Sequence, residues 1–313
     1  MLRKILVPLD GSPSAEDALP IARRLARRRN ATVELVMVRD LPVEPLTIHT
    51  PSTDAQMLDE TDFRMAQDYL DSVARRLKDA GVDATGTVVD GEVIASIRQR
   101  VREAEADIVV MCTHGRGGWS RFWLGSVAQE LVRRLNVPLL LTRPHGELEG
   151  QASPPPEDGA LRILVTLDGS QYAEQALDAA IRSFGTETTE YTLLRVVVPP
   201  IVRPYRVPKA HPDYEEQERL TKLATEYLEG QVKSLRERGV KADYGVIARQ
   251  HVAEAIADYA VEHGLHGIAI ATNARQGMPR LILGSVADKV LRSSIVPVMV
   301  IRSPHAAEVP EGA

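Results

Sequence analysis

Cysteine occurs once in the 313 residues, at Cys112. A single thiol excludes an internal disulfide and a zinc site made from paired cysteines, and it fits a reducing compartment. Long apolar runs are missing too. None approaches the roughly 20 residues that span a bilayer, so no membrane partner is expected. Basic charge is not in excess: 38 Lys and Arg face 43 Asp and Glu, for a formal net charge of −5. That balance gives no electrostatic reason to expect nucleic acid. The opening MLRKILVPLDGS lacks the charged, apolar and cleavage regions of a secretory leader, and a cytoplasmic location is the expectation. Two catalytic signatures are also absent. No lysine follows the glycines in the Walker pattern, and no nucleophile, base and orienting group form a recognisable set.

What is present belongs to a globular protein, with 44% hydrophobic and 26% charged residues and length enough for two cores. An internal repeat dominates. ILVPLDGSPSAEDAL (Ile5 to Leu19) returns as ILVTLDGSQYAEQAL (Ile163 to Leu177), an offset of 158. LGSVAQELVRRLNVPLLL (Leu124 to Leu141) returns as LGSVADKVLRSSIVPVMV (Leu283 to Val300), an offset of 159. One domain of about 140 residues has been duplicated, giving domains at 1–143 and 161–302. The Pro, Gly and acid-rich segment 144–160 reads as a linker, and 303–313 as a frayed tail.

In repeat 1 the periodicity predicts strands at Lys4–Leu9, Thr32–Val38, Thr85–Val89, Asp107–Met111 and Pro138–Thr142. Helices are predicted from Ser14 to about Arg29, Asp62 to Ala80, Val93 to Glu105 and Ser126 to Leu135, the second stopped by Gly81. Apolar strands alternating with helices give an α/β, doubly wound, Rossmann-like domain: a five-stranded parallel sheet with helices on both faces. Ligands of such folds bind beyond the C-terminal strand ends. Both DGS turns and the two loops CTHGRGGWSRFWLGS and ATNARQGMPRLILGS fall there.

ILVPLDGS, MCTHGRGGWSRFWLGSVAQELV and the closing VPLLLTRP resemble the universal stress protein family, here as a tandem member. The family contains ATP binders and members that bind no nucleotide. The resemblance implies a stress-response or signalling module that holds ATP, with or without Mg2+, mainly in repeat 1. The ATP-binding members are marked by Gly, two residues, Gly, nine residues, then Gly-Ser or Gly-Thr. Repeat 1 matches at Gly115, Gly125 and Ser126 and departs at Cys112; repeat 2 has Ala271, Ala274, Gly284 and Ser285. The implied nucleotide set is Pro8, Asp10, Val38, Gly91, Met111, Cys112, His114, Gly115, Arg116, Gly125, Ser126 and Val127. A weaker second set is Asp168, Val196, Gly284 and Ser285. Gly91 aligns with Gln250 at the later offset, a third glycine lost from repeat 2.

Each position also has a structural reading. Glycine admits φ > 0 and close approach of backbone N–H groups to phosphate, but Gly115 can equally be a turn residue. Ser126 can meet an anion at a helix start or act as an N-cap worth about 1 kcal/mol. Asp10 can accept from the adenine amino group or form an Asx-type turn. Cys112 can be a small buried hydrophobe or a thiol activated by His114 and Arg116.

Other features are assigned to structure first. RRLARRRN (Arg23 to Asn30) reads as a solvated helix end that complements the dipole. Trp119, Phe122 and Trp123 pack over their loop or form a partner surface. HGLH (His263 to His266) is interrupted by Gly264 and does not read as a metal site. The proline-rich loops LPVEPLTIHTPSTDA and VPPIVRPYRVPKAHPDY are expected to be irregular. Only His114 and Asp10 could act as acid–base groups near a nucleotide, which supports at most slow ATP hydrolysis. The rival functions are a protein-interaction module without nucleotide and a slow ATPase. The apolar last strands are predicted sheet edges; such strands pair across a dimer in the family, so the resemblance implies that they pair here between the repeats, and a homodimer of chains is left open.

Overall fold

A computed structural model of the chain describes residues 1–40, 53–113, 124–144, 159–202, 211–272 and 284–302. The chain divides into two compact units, Met1–Glu147 and Leu148–Ala313.

Unit 1 contains β1 (Lys4–Pro8), α1 (Pro13–Glu16), α2 (Leu19–Arg29), β2 (Thr32–Arg39), α3 (Thr53–Asp79) and β3 (Ala84–Asp90). It continues with α4 (Val93–Glu103), β4 (Ile108–Cys112), α5 (Ser126–Arg134) and β5 (Leu139–Thr142). The strands are parallel in the order β3-β2-β1-β4-β5. The chain winds outward from β1 to β3 and then crosses back to β4. The switch point therefore lies between β1 and β4, where ligands of this architecture bind. Tyr69 and Arg76 on α3 reach Glu16 on α1 at 2.9 and 2.7 Å, so these helices share one face. On the opposite face α4 packs against α5. Ile5, Leu6, Leu35, Ile108, Leu139 and Leu140 are fully buried in the sheet, which is why these strands read as continuous apolar runs.

Unit 2 repeats the plan with β6 (Leu161–Thr166), α6 (Gln171–Phe184), β7 (Thr189–Val197), α7 (Tyr214–Glu237), β10 (Lys241–Ala248), α8 (Val252–Glu262), β11 (Gly267–Thr272), α9 (Ser285–Ser293) and β12 (Val298–Arg302). Its parallel order is β10-β7-β6-β11-β12. The helix tie recurs: Tyr227 and Gln231 on α7 donate to Glu174 on α6 at 2.9 and 3.1 Å.

Four expectations need correction. The first helix is not continuous from Ser14, because α1 ends at Glu16 and α2 begins at Leu19. Pro20 has no N–H to donate, and its ring would crowd the carbonyl of Glu16. Unit 2 has Asp178 at that position, and α6 runs unbroken. The next helix starts at Thr53, well before Asp62, since neither Gly nor Pro interrupts TDAQMLDETD. The Arg23–Asn30 end is not simply solvated: Arg24 is buried, and Arg27 is the one exposed arginine of Arg23, Arg24, Arg27, Arg28 and Arg29. The proline-rich loop of repeat 2 is not wholly irregular. Its ends form a short antiparallel ribbon, β8 (Ile201–Val202) with β9 (His211–Pro212).

Candidate functional site

The C-terminal ends of β1 to β4 bring Pro8, Asp10, Val38, Gly91, Met111 and Cys112 to the same edge of unit 1, with the start of α5. His114, Gly115 and Arg116, with the aromatic group Trp119, Phe122 and Trp123, lie outside the described residues.

Asp10 builds a turn. Its Oδ1 accepts from the Ser12 N–H at 2.9 Å and the Ser12 hydroxyl at 2.6 Å, while Gly11 takes φ +80. Ser12 Oγ in turn accepts from Ala15 N–H at 3.2 Å, capping α1. The second copy repeats this: Asp168 Oδ1 accepts from Ser170 N–H at 2.9 Å and Oγ at 2.5 Å, with Gly169 at φ +83. The Asx turn explains why both copies carry DGS.

Gly91 follows β3 at φ +131 and donates its N–H to the Arg39 carbonyl at 3.0 Å. Its amide is therefore engaged, and glycine is required by the backbone. In unit 2 the equivalent hydrogen bond comes from Arg249 N–H to the Val197 carbonyl, 3.0 Å. This corrects the pairing of Gly91 with Gln250. One extra residue sits between β10 and α8, which moves the repeat offset from 158 to 159. Unit 2 has changed the length of the turn, and no positive φ is needed there.

Cys112 is the last residue of β4, buried and paired in register with Thr142. It does not have positive φ. The chain then turns toward α5, with Thr113 N–H bonded to the Thr142 carbonyl at 2.8 Å and Gly125 N–H to the Thr113 carbonyl at 2.9 Å.

Ser126 is not an N-cap. Gly125 holds that place at φ −55 and ψ 150, Ser126 is the first helical residue and exposed, and no side chain among the described residues caps α5. The same holds for Gly284, at φ −55, and Ser285 before α9. By contrast α4 is capped by Glu92, whose carboxylate accepts from Ile94 at 3.0 Å and Ala95 at 2.6 Å. Those bonds, Ala95 first, hold the Glu92 carboxyl below its usual range. An uncapped helix start presents N–H groups and the positive dipole end to the crevice. That donor set, with the exposed Ser126 hydroxyl, fits phosphate oxygens. Val38 and Val127 are half-buried, as is Val196 in unit 2.

Sequence reasoning overlooked the rim. Arg39 ends β2 opposite Asp90 at the end of β3. Its Nε and Nη2 donate to the two Asp90 carboxylate oxygens at 2.7 and 2.9 Å, and Nη1 donates to Asp59 Oδ1 at 3.0 Å. The guanidinium also lies 5.1 Å from the Phe63 ring centre. Opposite charges ending two neighbouring strands were the available signal. The equivalent unit 2 residues are Val197 and Ala248. The HGLH histidines are occupied separately: His263 Nδ1 lies 3.0 Å from the Tyr259 carbonyl, and His266 Nδ1 accepts from Arg162 N–H at 3.0 Å. No helix among the described residues is long and apolar enough to cross a membrane.

Comparison with known proteins places this geometry. A universal stress protein of Mycolicibacterium smegmatis is 26% identical over 304 residues, covering 95% of this chain and 96% of its own. A universal stress protein of Mycobacterium tuberculosis is 23% identical over 308 residues, with 95% and 96% covered. The crystal structure of a universal stress protein from Archaeoglobus fulgidus superposes with a TM-score of 0.64 at 20% identity, over 96% of this chain and 98% of that one, and so shares the fold. The family model for universal stress proteins matches twice, over residues 1–143 and 160–302. The chain thus belongs to the universal stress protein family, with two of its domains in tandem.

Proposed function

We propose that unit 1 is an ATP-binding module whose nucleotide alters loop order or partner affinity in a stress or signalling response. The observation that carries this reading is the start of α5, with Gly125 at the cap, Ser126 exposed and no side-chain cap among the described residues. The glycine is not demanded by its dihedral angles, and the lack of a Cβ there suits the close approach of a ligand. In the proposed complex the α5 amides and Ser126 hold phosphate, with Gly115 supplying further backbone approach. Val38 flanks the base, and the Asp10 carboxylate meets its amino group. Unit 2 keeps Gly284 and Ser285 but has Ala274 where unit 1 has Gly115, which supports one nucleotide per chain.

Calorimetric titration of ATP, with and without Mg2+, into the wild type and Gly115→Val tests this. One ATP per chain, lost in the variant, is expected. No binding by the wild type overturns the reading, unchanged affinity in the variant removes the assigned site, and two per chain restores unit 2. Sustained phosphate release that disappears in His114→Ala would add hydrolysis.

A further inference from the structure

At the N-terminal ends of the unit 1 strands, opposite the crevice, a groove of about 430 Å³ collects four arginines. Arg3 comes from ahead of β1, Arg98 and Arg102 from the second half of α4, and Arg134 from the end of α5. Arg98 and Arg102 are four residues apart on one helix and share a face, where like charges repel. The side chains of Arg3, Arg98 and Arg102 have no hydrogen-bond or ion-pair partner among the described residues. Arg134 donates Nε to Glu130 at 2.9 Å. Two acids line the groove, Glu105 and Asp107. Asp107 is already engaged, its Oδ2 accepting from the backbone N–H of Arg3 at 2.6 Å and of Lys4 at 2.9 Å.

Cations at helix C-termini complement the dipole, and that is the simplest reason to find arginine here. The duplicated unit argues against its being sufficient. By sheet register and helix alignment, Leu161, Ala257, Val261 and Ser293 take the places of Arg3, Arg98, Arg102 and Arg134. The last turn of α8 carries no basic residue at all, yet the unit folds the same way. Four arginines from three elements are thus not required by the fold. They concentrate positive charge on a protein of net charge −5.

We infer that this groove binds a small phosphate-bearing polyanion, recognised through a diphosphate or triphosphate group. A guanidinium fork pairs bidentately with phosphate oxygens. One carboxylate would satisfy a single fork, whereas linked phosphates offer enough oxygens for forks arriving from α4, α5 and the N-terminal segment. The site stands apart from the crevice at the other end of the strands and does not depend on the ATP reading.

Inorganic pyrophosphate and tripolyphosphate are titrated calorimetrically into the full chain at fixed ionic strength. The wild type, the double variant Arg98→Ala/Arg102→Ala, and Gly115→Val are compared, with urea midpoints checking that each is folded. Binding by the wild type and Gly115→Val, weakened about tenfold or more in the double variant, is the expected result. Absence of wild-type binding overturns the proposal. Loss in Gly115→Val with retention in the double variant assigns the phosphate to the crevice and also overturns it, as does equal competition by sulfate at the same ionic strength.

Discussion

Gly91 sits at φ +131, with the position of a Cβ 3.0 Å from Ser96 Oγ, whereas Gly125 sits at φ −55, where any residue is at ease. The two glycines should therefore respond differently to alanine. Gly91→Ala is expected to cost about 1–3 kcal/mol for a side chain held in a glycine region, read as a lower urea midpoint. Gly125→Ala should cost at most about 1 kcal/mol, the penalty of alanine at an N-cap, and lower ATP affinity. Glu92 gives a pH prediction. Its carboxyl is held down by the Ala95 and Ile94 amides, so the cap contributes above the unfolded carboxylate value of about 4.3. The contribution disappears as pH falls through the lower folded value. Glu92→Gln should accordingly lose stability relative to wild type at pH 7 and differ little from it at the acid end of a urea series.

The two copies of each element show which interactions the fold can exchange. Buried Glu34 on β2 is paired with Arg100 on α4 and receives a long contact from Thr87 at 3.5 Å. Unit 2 places Thr192, Tyr259 and Gly245 at these positions. A Cβ at Gly245 would collide with the Tyr259 hydroxyl, so the glycine makes room for the ring that replaces the ion pair. Arg100→Met alone should cost about 3 kcal/mol or more, because it leaves a buried carboxylate without its cation. Glu34→Leu with Arg100→Met should recover most of that loss in chemical denaturation. Failure of the double variant to recover would mean the pair is not exchangeable. The first helix makes the same point for the backbone: Pro20 divides it into α1 and α2, while Asp178 leaves α6 whole. Proline was visible in the sequence, but the amphipathic pattern continued across it and hid the break.

At the scale of the molecule, the proposed single ATP site predicts a mass-action effect on unfolding. ATP at a hundred times its Kd should stabilise the unit that binds it by about 2.7 kcal/mol. A second site of equal affinity would double that figure if the chain unfolds in one transition, so stabilisation of about 5 kcal/mol, twice the one-site value, would contradict the one-site reading.

The duplication and the α/β plan were legible in the chain because buried parallel strands leave continuous apolar runs, and a repeated sequence repeats its turn chemistry. ILVPLDGS and ILVTLDGS encode the same strand and Asx turn wherever they occur, since Asp, Gly and Ser satisfy one another within three residues. What depended on partners distant in sequence was not legible. The Arg39–Asp90 rim joins residues from separate strands, and the arginine groove gathers side chains from positions 3, 98, 102 and 134. The inserted residue between β10 and α8 could be located only by following the hydrogen bond from Arg249 to Val197. Local chemistry determined the elements and their order; register and packing decided which distant charges meet.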